Sequence, residues 1–211
     1  MAKRAYNPRE IAKMTYQSIP WTGEWEEAFG QPDITDTWLI HGPSAGGKSS
    51  FVMQLAKKLC EYGRVLYVSL EEKVSMSFNQ RIRRFHMEEV ETQFRIITDA
   101  DLENLRERLH KRKSPKFIII DSFQVAQQMA GWDYTQAAAL IDEFPRKCFI
   151  FISQEQKSEP LGKGAVRLKY LAGVKVRVKE YKAMCLGRFV PEIGNCFKVW
   201  QDGIIQATNN L

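Results

Sequence analysis

Hydrophobic residues along this chain fall into two alternating rhythms. Short, nearly unbroken apolar runs occupy residues 38–40, 65–69, 94–97, 117–120 and 148–152. Runs of this length and continuity predict strands buried on both faces. Between them, apolar positions recur at helical spacing over residues 49–62, 74–85, 101–111 and 134–143. Strands and helices in alternation predict βαβ units, and so an α/β fold: a mainly parallel twisted sheet with helices on both faces.

Both ends depart from that rhythm. A short helical pattern around residues 8–16 gives way at 19–36 to a stretch rich in Trp, Gly, Pro and acids, which reads as an irregular segment. Residues 1–36 are therefore set apart as an N-terminal lead-in, and residues 37–211 as the main domain. Near the other end, residues 173–178, 181–186 and 197–201 follow one another without a helix-length spacer. That spacing predicts an antiparallel β extension at the C-terminus of the sheet.

Composition narrows the class without defining it. A chain of 211 residues with 44% hydrophobic and 27% charged positions has enough material for one folded core. No stretch approaches the roughly 20 apolar residues of a membrane span, and no apolar segment backs the basic start. A cytoplasmic location and no membrane partner are expected. Cys60, Cys148, Cys185 and Cys196 are widely separated, as are His41, His86 and His110. Neither set has metal-ligand spacing, and the cysteines are expected to be reduced core residues. The net charge of +6 is concentrated: Glu155 to Lys182 holds eight Lys or Arg against three acids, and shorter basic runs occur at 81–84 and 106–113. Such stretches are compatible with a polyanionic partner.

The chemistry begins at Gly42-Pro43-Ser44-Ala45-Gly46-Gly47-Lys48-Ser49, which fits G-x-x-x-x-G-K-[ST] between a predicted strand and a predicted helix. Glycines let backbone N–H groups converge on phosphate oxygens, and the following helix adds its positive end. Lys48 would neutralise the β- and γ-phosphates and Ser49 would give its hydroxyl to Mg²⁺. With Ser50 on the first helical turn, these residues form the expected ATP cradle. A magnesium site also needs a carboxylate at a strand end, and the run 117–120 supplies it in Asp121. A water-activating base is expected at the end of the run 65–69, from Glu71 or Glu72. Ser153 and Gln154 close the run 148–152, where an amide can sense the γ-phosphate.

The order of phosphate loop, strand with Glu, strand with Asp and strand with Gln resembles the RecA-like P-loop ATPases, in particular the RadA/Sms and replicative-helicase branch and its compact phage or mobile-element types. The likeness runs from about Thr37 to Trp200, making residues 37–211 a RecA-like ATPase domain. It implies Glu71 as the catalytic base and Gln154 as the sensor. Lys157, Lys163, Arg167 and Lys169 would lie in the second DNA-binding loop, and Trp132 and Tyr134 in the first, where they could stack on bases. Residues 181–189 resemble the strand whose Lys-x-Arg pair reaches a neighbouring subunit's ATP; Arg188 matches the arginine, while Leu186 stands where the family has lysine. The resemblance implies an ATP-hydrolysing protein of DNA recombination, repair or replication, a ring or filament of identical subunits with ATP at their interfaces and single-stranded DNA as partner. An ATP-switched assembly protein similar to KaiC, without DNA, is the alternative; a small-molecule kinase is a third reading.

Overall fold

The structure, a computed structural model, describes residues 5–189 and 195–202. The outer limits of the two predicted segments, residues 1 and 211, lie outside them. After a short helix α1 (Pro8–Ala12) and α2 (Glu24–Phe29), the order is β1 (Trp38–Gly42), α3 (Lys48–Leu59), β2 (Val65–Ser69), α4 (Met76–Arg84) and β3 (Phe94–Ile97). It continues with α5 (Leu102–His110), β4 (Phe117–Asp121), α6 (Phe123–Ala130), α7 (Tyr134–Glu143), β5 (Cys148–Gln156) and β6 (Glu159–Pro160). Helix α8 (Lys163–Leu171), β7 (Val174–Lys179), β8 (Lys182–Cys185) and β9 (Cys196–Lys198) complete it.

Eight strands lie side by side in the order β3-β2-β4-β5-β1-β7-β8-β9, and β6 pairs with the end of β5. Successive side chains on a strand face opposite sides of a sheet, and the core divides accordingly. Trp38, Ile40, Val65, Tyr67, Phe117, Ile119, Cys148 and Ile150 share one cluster with α3 and with Phe78 of α4. Leu39, Leu66, Val68, Ile118, Ile120, Phe149 and Phe151 share the other with residues of α5, α6, α7 and α8. The predicted α/β architecture with helices on both faces is thus present. Among the described residues, no helix is long and apolar enough to cross a membrane.

Three local readings change. The stretch 19–36 contains α2, and its Ile19, Trp21, Ala28 and Phe29 are buried in the first cluster beside Trp38 and Phe51. Trp25 packs on Phe197, ring centroids 4.3 Å apart, so this segment joins the core to the last strand. Secondly, the β extension is only partly antiparallel. β7 runs parallel to β1, with Trp38 opposite Val174 and His41 opposite Arg177, while β8 and β9 add in antiparallel fashion. The reason is α8: strands that run parallel in one sheet need a crossover of a dozen or more residues, and α8 provides the one that carries the chain from β5 past β1 to β7. Thirdly, the region of residues 161–170, expected as a loop, is that helix, with Ala165 and Leu168 buried.

Candidate nucleotide site

In a parallel sheet, ligands collect at the carboxyl ends of the strands. Four such ends meet here. In register, Gly42 of β1 lies opposite Gln154 of β5, and Ser69 of β2 lies opposite Asp121 of β4. Strand β5 stands between the phosphate-loop strand and the Asp121 strand, so Gln154 is placed between the loop and the carboxylates.

The loop from Gly42 to Gly47 turns sharply into α3. Gly47, the N-cap, has φ of +96°, and Ala45 also lies in the left-handed region at +58°, where an alanine is strained by about 1–2 kcal/mol. The Lys48 ammonium donates to the carbonyls of Gly42 and Pro43, both at 2.8 Å, folding back over the loop as a half-buried cation. Burial pulls its pKa below the ordinary lysine value, against the opposing attraction of Glu71, Asp121 and Glu155. Pro43 to Ser44 and Ser49 to Ser50 are accessible at the loop and the start of α3.

The loop is also held from outside by the β7–β8 turn. Tyr181 donates its backbone N–H to the Gly46 carbonyl at 3.1 Å, and a Cβ at Gly47 would press on the Tyr181 ring. A Cβ at Gly42 would overlap the Val178 carbonyl oxygen. Tyr181 in turn meets Trp200 edge-on at 5.1 Å.

Asp121 ends β4 beneath this loop. Burial pushes its pKa up to about 6 and the charges of Glu71 and Glu72 push the same way, while a hydrogen bond from the Tyr67 hydroxyl and the charge of Arg81 act to lower it. The two glutamates have different partners. Glu72 is clamped by the Arg81 guanidinium through two bonds of 2.5 and 2.9 Å. Glu71 instead accepts from the Gln154 side-chain amide at 3.4 Å, an open contact at the site's surface. Gln154 is itself held: its backbone N–H donates to Gln124 Oε1 at 3.2 Å. The buried Gln124 amide also donates to Ser153 Oγ and to the Leu161 carbonyl, both at 2.8 Å.

ATP and Mg²⁺ are the groups this fold implies. The donor set fits them: a glycine-bearing loop at a helix N-terminus, an ammonium, and hard oxygen ligands in the Ser49 hydroxyl and Asp121 carboxylate. Sequence reasoning missed Tyr67, Arg81 and Gln124, which hold Asp121, Glu72 and Gln154. Gln124 had one signal, an amide three residues beyond Asp121; the others show only in three dimensions.

The predicted nucleic-acid residues are placed less uniformly. Lys157 is exposed in the β5–β6 turn with φ of +51°, and Lys163 and Arg167 are exposed on α8. Lys169 is paired with Glu159 at 2.8 Å, and Arg167 lies over the Tyr134 ring at 4.7 Å. Trp132 does not offer a face for stacking: it is 2% exposed and its indole N–H donates to the Ala100 carbonyl at 2.8 Å. Behind the loop, His41 and Arg177 both bind Glu155, at 3.0 and 2.7 Å, closing a charge cluster between β1, β5 and β7. Arg188 is exposed at the opposite edge of the sheet, its backbone N–H reaching the Gly173 carbonyl at 3.4 Å, and so is remote from this chain's own phosphate loop.

A glycine-bearing phosphate loop beside three carboxylate-bearing or amide-bearing strand ends, on this strand order, is the RecA-like P-loop ATPase fold. Comparison with known proteins agrees at that level. No family model matches the chain. The DNA repair protein RadA of Streptococcus pneumoniae is 31% identical over 122 residues, which are 56% of this chain but only 28% of that protein. RadA of Streptococcus pyogenes serotype M6 is 31% identical over 86 residues, 41% of this chain and 18% of that protein. The chain thus matches less than a third of the length of these relatives. Among solved structures, a KaiC-like protein from Pyrococcus horikoshii superposes with a TM-score of 0.60 at 19% identity, over 87% of this chain and 93% of the other. The flagellar accessory protein FlaH from Methanocaldococcus jannaschii gives 0.58 at 14% identity, over 77% and 83%.

Proposed function

We propose that this chain binds and hydrolyses ATP, and that it does so in a process acting on DNA. The observation that carries the ATP half is the meeting of Glu71 with Gln154 at the edge where Lys48 and Asp121 also end. In this reading the loop from Gly42 to Ser50 cradles the phosphates, and Lys48 leaves the Gly42 and Pro43 carbonyls to neutralise them. Ser49 and Asp121 would hold Mg²⁺, whose charge would offset that of the phosphates. Glu71 accepts the proton of the attacking water, since Glu72 is occupied by Arg81. Gln154, linked to Glu71, reports the γ-phosphate to the β5–β6 turn that follows it.

The DNA half rests on the RadA relatives, which are DNA repair proteins by name. The exposed Arg188, away from its own loop, suits a group serving a neighbouring subunit's ATP in a homo-oligomer, ring or filament. A second reading is favoured by the likeness over 87% of the chain to a KaiC-like protein: an ATP-switched assembly protein whose partner is another protein. Steady-state ATP hydrolysis with and without single-stranded DNA at low salt separates them. Stimulation by DNA supports the first reading, and hydrolysis indifferent to DNA supports the second. Unchanged hydrolysis in Lys48→Ala would remove the site assignment altogether.

A further inference from the structure

The amino-terminal edge of the sheet, opposite the nucleotide site, carries a second concentration of charge. A cleft of about 410 Å³ opens there between the starts of β2 and β3, the end of α5 and the loop leading into β4. Six of its lining residues are cationic, Arg64, Arg95, Arg108, Lys111, Arg112 and Lys113, and no carboxylate lines it. All six are exposed. They come from three separate stretches of chain, so attraction of the α5 C-terminus for cations accounts for Arg108 and Lys111 and not for Arg64 or Arg95.

Their pairing sets them apart from seven other cations among the described residues. Lys57, Lys58, Arg81, Arg106, Lys169, Arg177 and Lys179 each lie within ion-pair distance of a glutamate. None of the six in the cleft has such a partner among the described residues. Where they bond at all, they bond to neutral carbonyls, Arg64 to that of Lys113 at 2.6 Å and Arg95 to that of Phe94 at 2.9 Å. These bonds orient the guanidinium groups and leave their charge uncompensated. Backbone bonds from Lys116 to Arg64 at 2.9 Å and from Val65 to Gln93 at 2.8 Å tie the walls together. The strip continues to Lys147, whose ammonium binds Ser114 Oγ at 2.7 Å and the Pro115 carbonyl at 2.8 Å, again without an acid.

We propose that this cleft is a binding surface for the phosphodiester backbone of nucleic acid. Six exposed cations spread along an open cleft match a chain of successive phosphates better than one small anion, which calls for buried donors converging on a point. No aromatic residue lines the cleft, and of its apolar members Val65 and Leu66 are buried and Pro115 is half-buried. Base stacking is therefore not available, and neither is an apolar side chain to enter a lipid bilayer. Binding is sequence-independent and governed by counterion release. The inference rests on the nucleic-acid half of the proposed function and not on its ATP half. It moves the main contact from the α8 region, where Lys169 is already paired, to the other end of the sheet.

The test is fluorescence anisotropy of a labelled oligo-dT across a salt series, with three proteins: wild type, the triple variant Arg108→Glu, Arg112→Glu, Lys113→Glu, and the triple variant Lys157→Glu, Lys163→Glu, Arg167→Glu. Thermal melting and ATP turnover without DNA verify that each is folded. We expect the first variant to lose at least tenfold in affinity, and its log–log salt slope to fall by about 2, from roughly 0.7 per phosphate contact on a single strand. The second variant should stay within a few-fold of wild type. If the first variant is misfolded, the corresponding Arg→Gln and Lys→Gln set serves, with the same slope change of about 2 expected, because the same three phosphate contacts are lost. Retained binding in the charge-altered cleft variant, with loss in the α8 variant, overturns the inference while leaving the DNA reading standing. No binding by wild type at low salt, or binding of anionic vesicles in place of the oligonucleotide, overturns both.

Discussion

The two edges of the sheet handle charge in opposite ways. At the carboxyl edge the charged side chains around the phosphate loop are engaged: Arg81 with Glu72, Arg177 with Glu155 beside His41, and Lys48 with its own loop. At the amino edge the six cations of the cleft have no ion-pair partner among the described residues. Paired groups in a partly buried setting fix geometry, and their removal strands the partner. Unpaired surface charges fix nothing but project a field that attracts a polyanion. The first edge is built for placing reacting atoms and the second for holding a charged chain.

The strongest way to break this contrast is at the phosphate loop. Lys48→Ala is expected to lower ATP affinity by about tenfold to a hundredfold, as loss of a charge-assisted contact does, measurable by titration calorimetry. Glu71→Gln is expected to keep ATP binding while turnover falls by about 10²–10⁴. The same loss in Glu72→Gln with Glu71→Gln active would reverse the assignment of the two glutamates.

Next in size is the Glu155 cluster. Glu155 has a side chain only 6% exposed, so Arg177→Gln is expected to destabilise the fold by about 2–4 kcal/mol in denaturant titration. The cluster also fixes the sign of a pH effect. Burial pushes the Glu155 carboxyl up, but the hydrogen bonds and charge of Arg177, with His41, outweigh it and leave the pKa lowered. Burial, helped by Lys169 and Arg177, lowers the His41 pKa despite the pull of Glu155. Both lowered values contribute stability above the unfolded pKa and lose it as pH falls through the folded one. The melting temperature is therefore expected to decline from about pH 6.5 downward, first through His41 and then through Glu155. His41→Gln should remove the upper part of that decline, and a melting temperature flat from pH 7 to pH 4 would contradict both.

Smaller effects sharpen the comparison. Gln124→Ala leaves the Ser153 to Leu161 junction without its bridge and is expected to lower turnover by about tenfold with ATP affinity little changed, a loss of about 1–2 kcal/mol. Arg112→Gln at the amino edge is expected to move stability by no more than about 0.5 kcal/mol. A loss there as large as that of Arg177→Gln would mean that the amino-edge charges also serve the fold.

Local chemistry was legible in the sequence and long-range pairing was not. The phosphate loop spans eight consecutive residues, and the buried strands before Asp121 and Gln154 are continuous apolar runs, so both declare themselves. Helix α8 escaped because its stretch, Lys163–Leu171, is short and mixes three cations with its apolar positions. Overlooking it also removed the crossover that makes β7 parallel. The apolar residues Ala165, Leu168 and Leu171 at spacings of three were the available signal. That Trp132 is packed and not free to stack on bases shows only in three dimensions, because nothing local predicts Ala100 as its acceptor. Tyr67 and Arg81 are legible only once β2 pairs with β4 and α4 folds back over Glu72.

Gly42, the first glycine of the phosphate loop, has a neighbour that no nucleotide supplies. Its missing side chain makes room for the Val178 carbonyl of β7, so the glycine answers to the sheet as well as to any ligand. In engineering terms the loop is not a portable cassette. Moved to another sheet without the β7–β8 turn that braces Gly46 and Gly47, it would keep its spelling and lose the wall against which it is shaped.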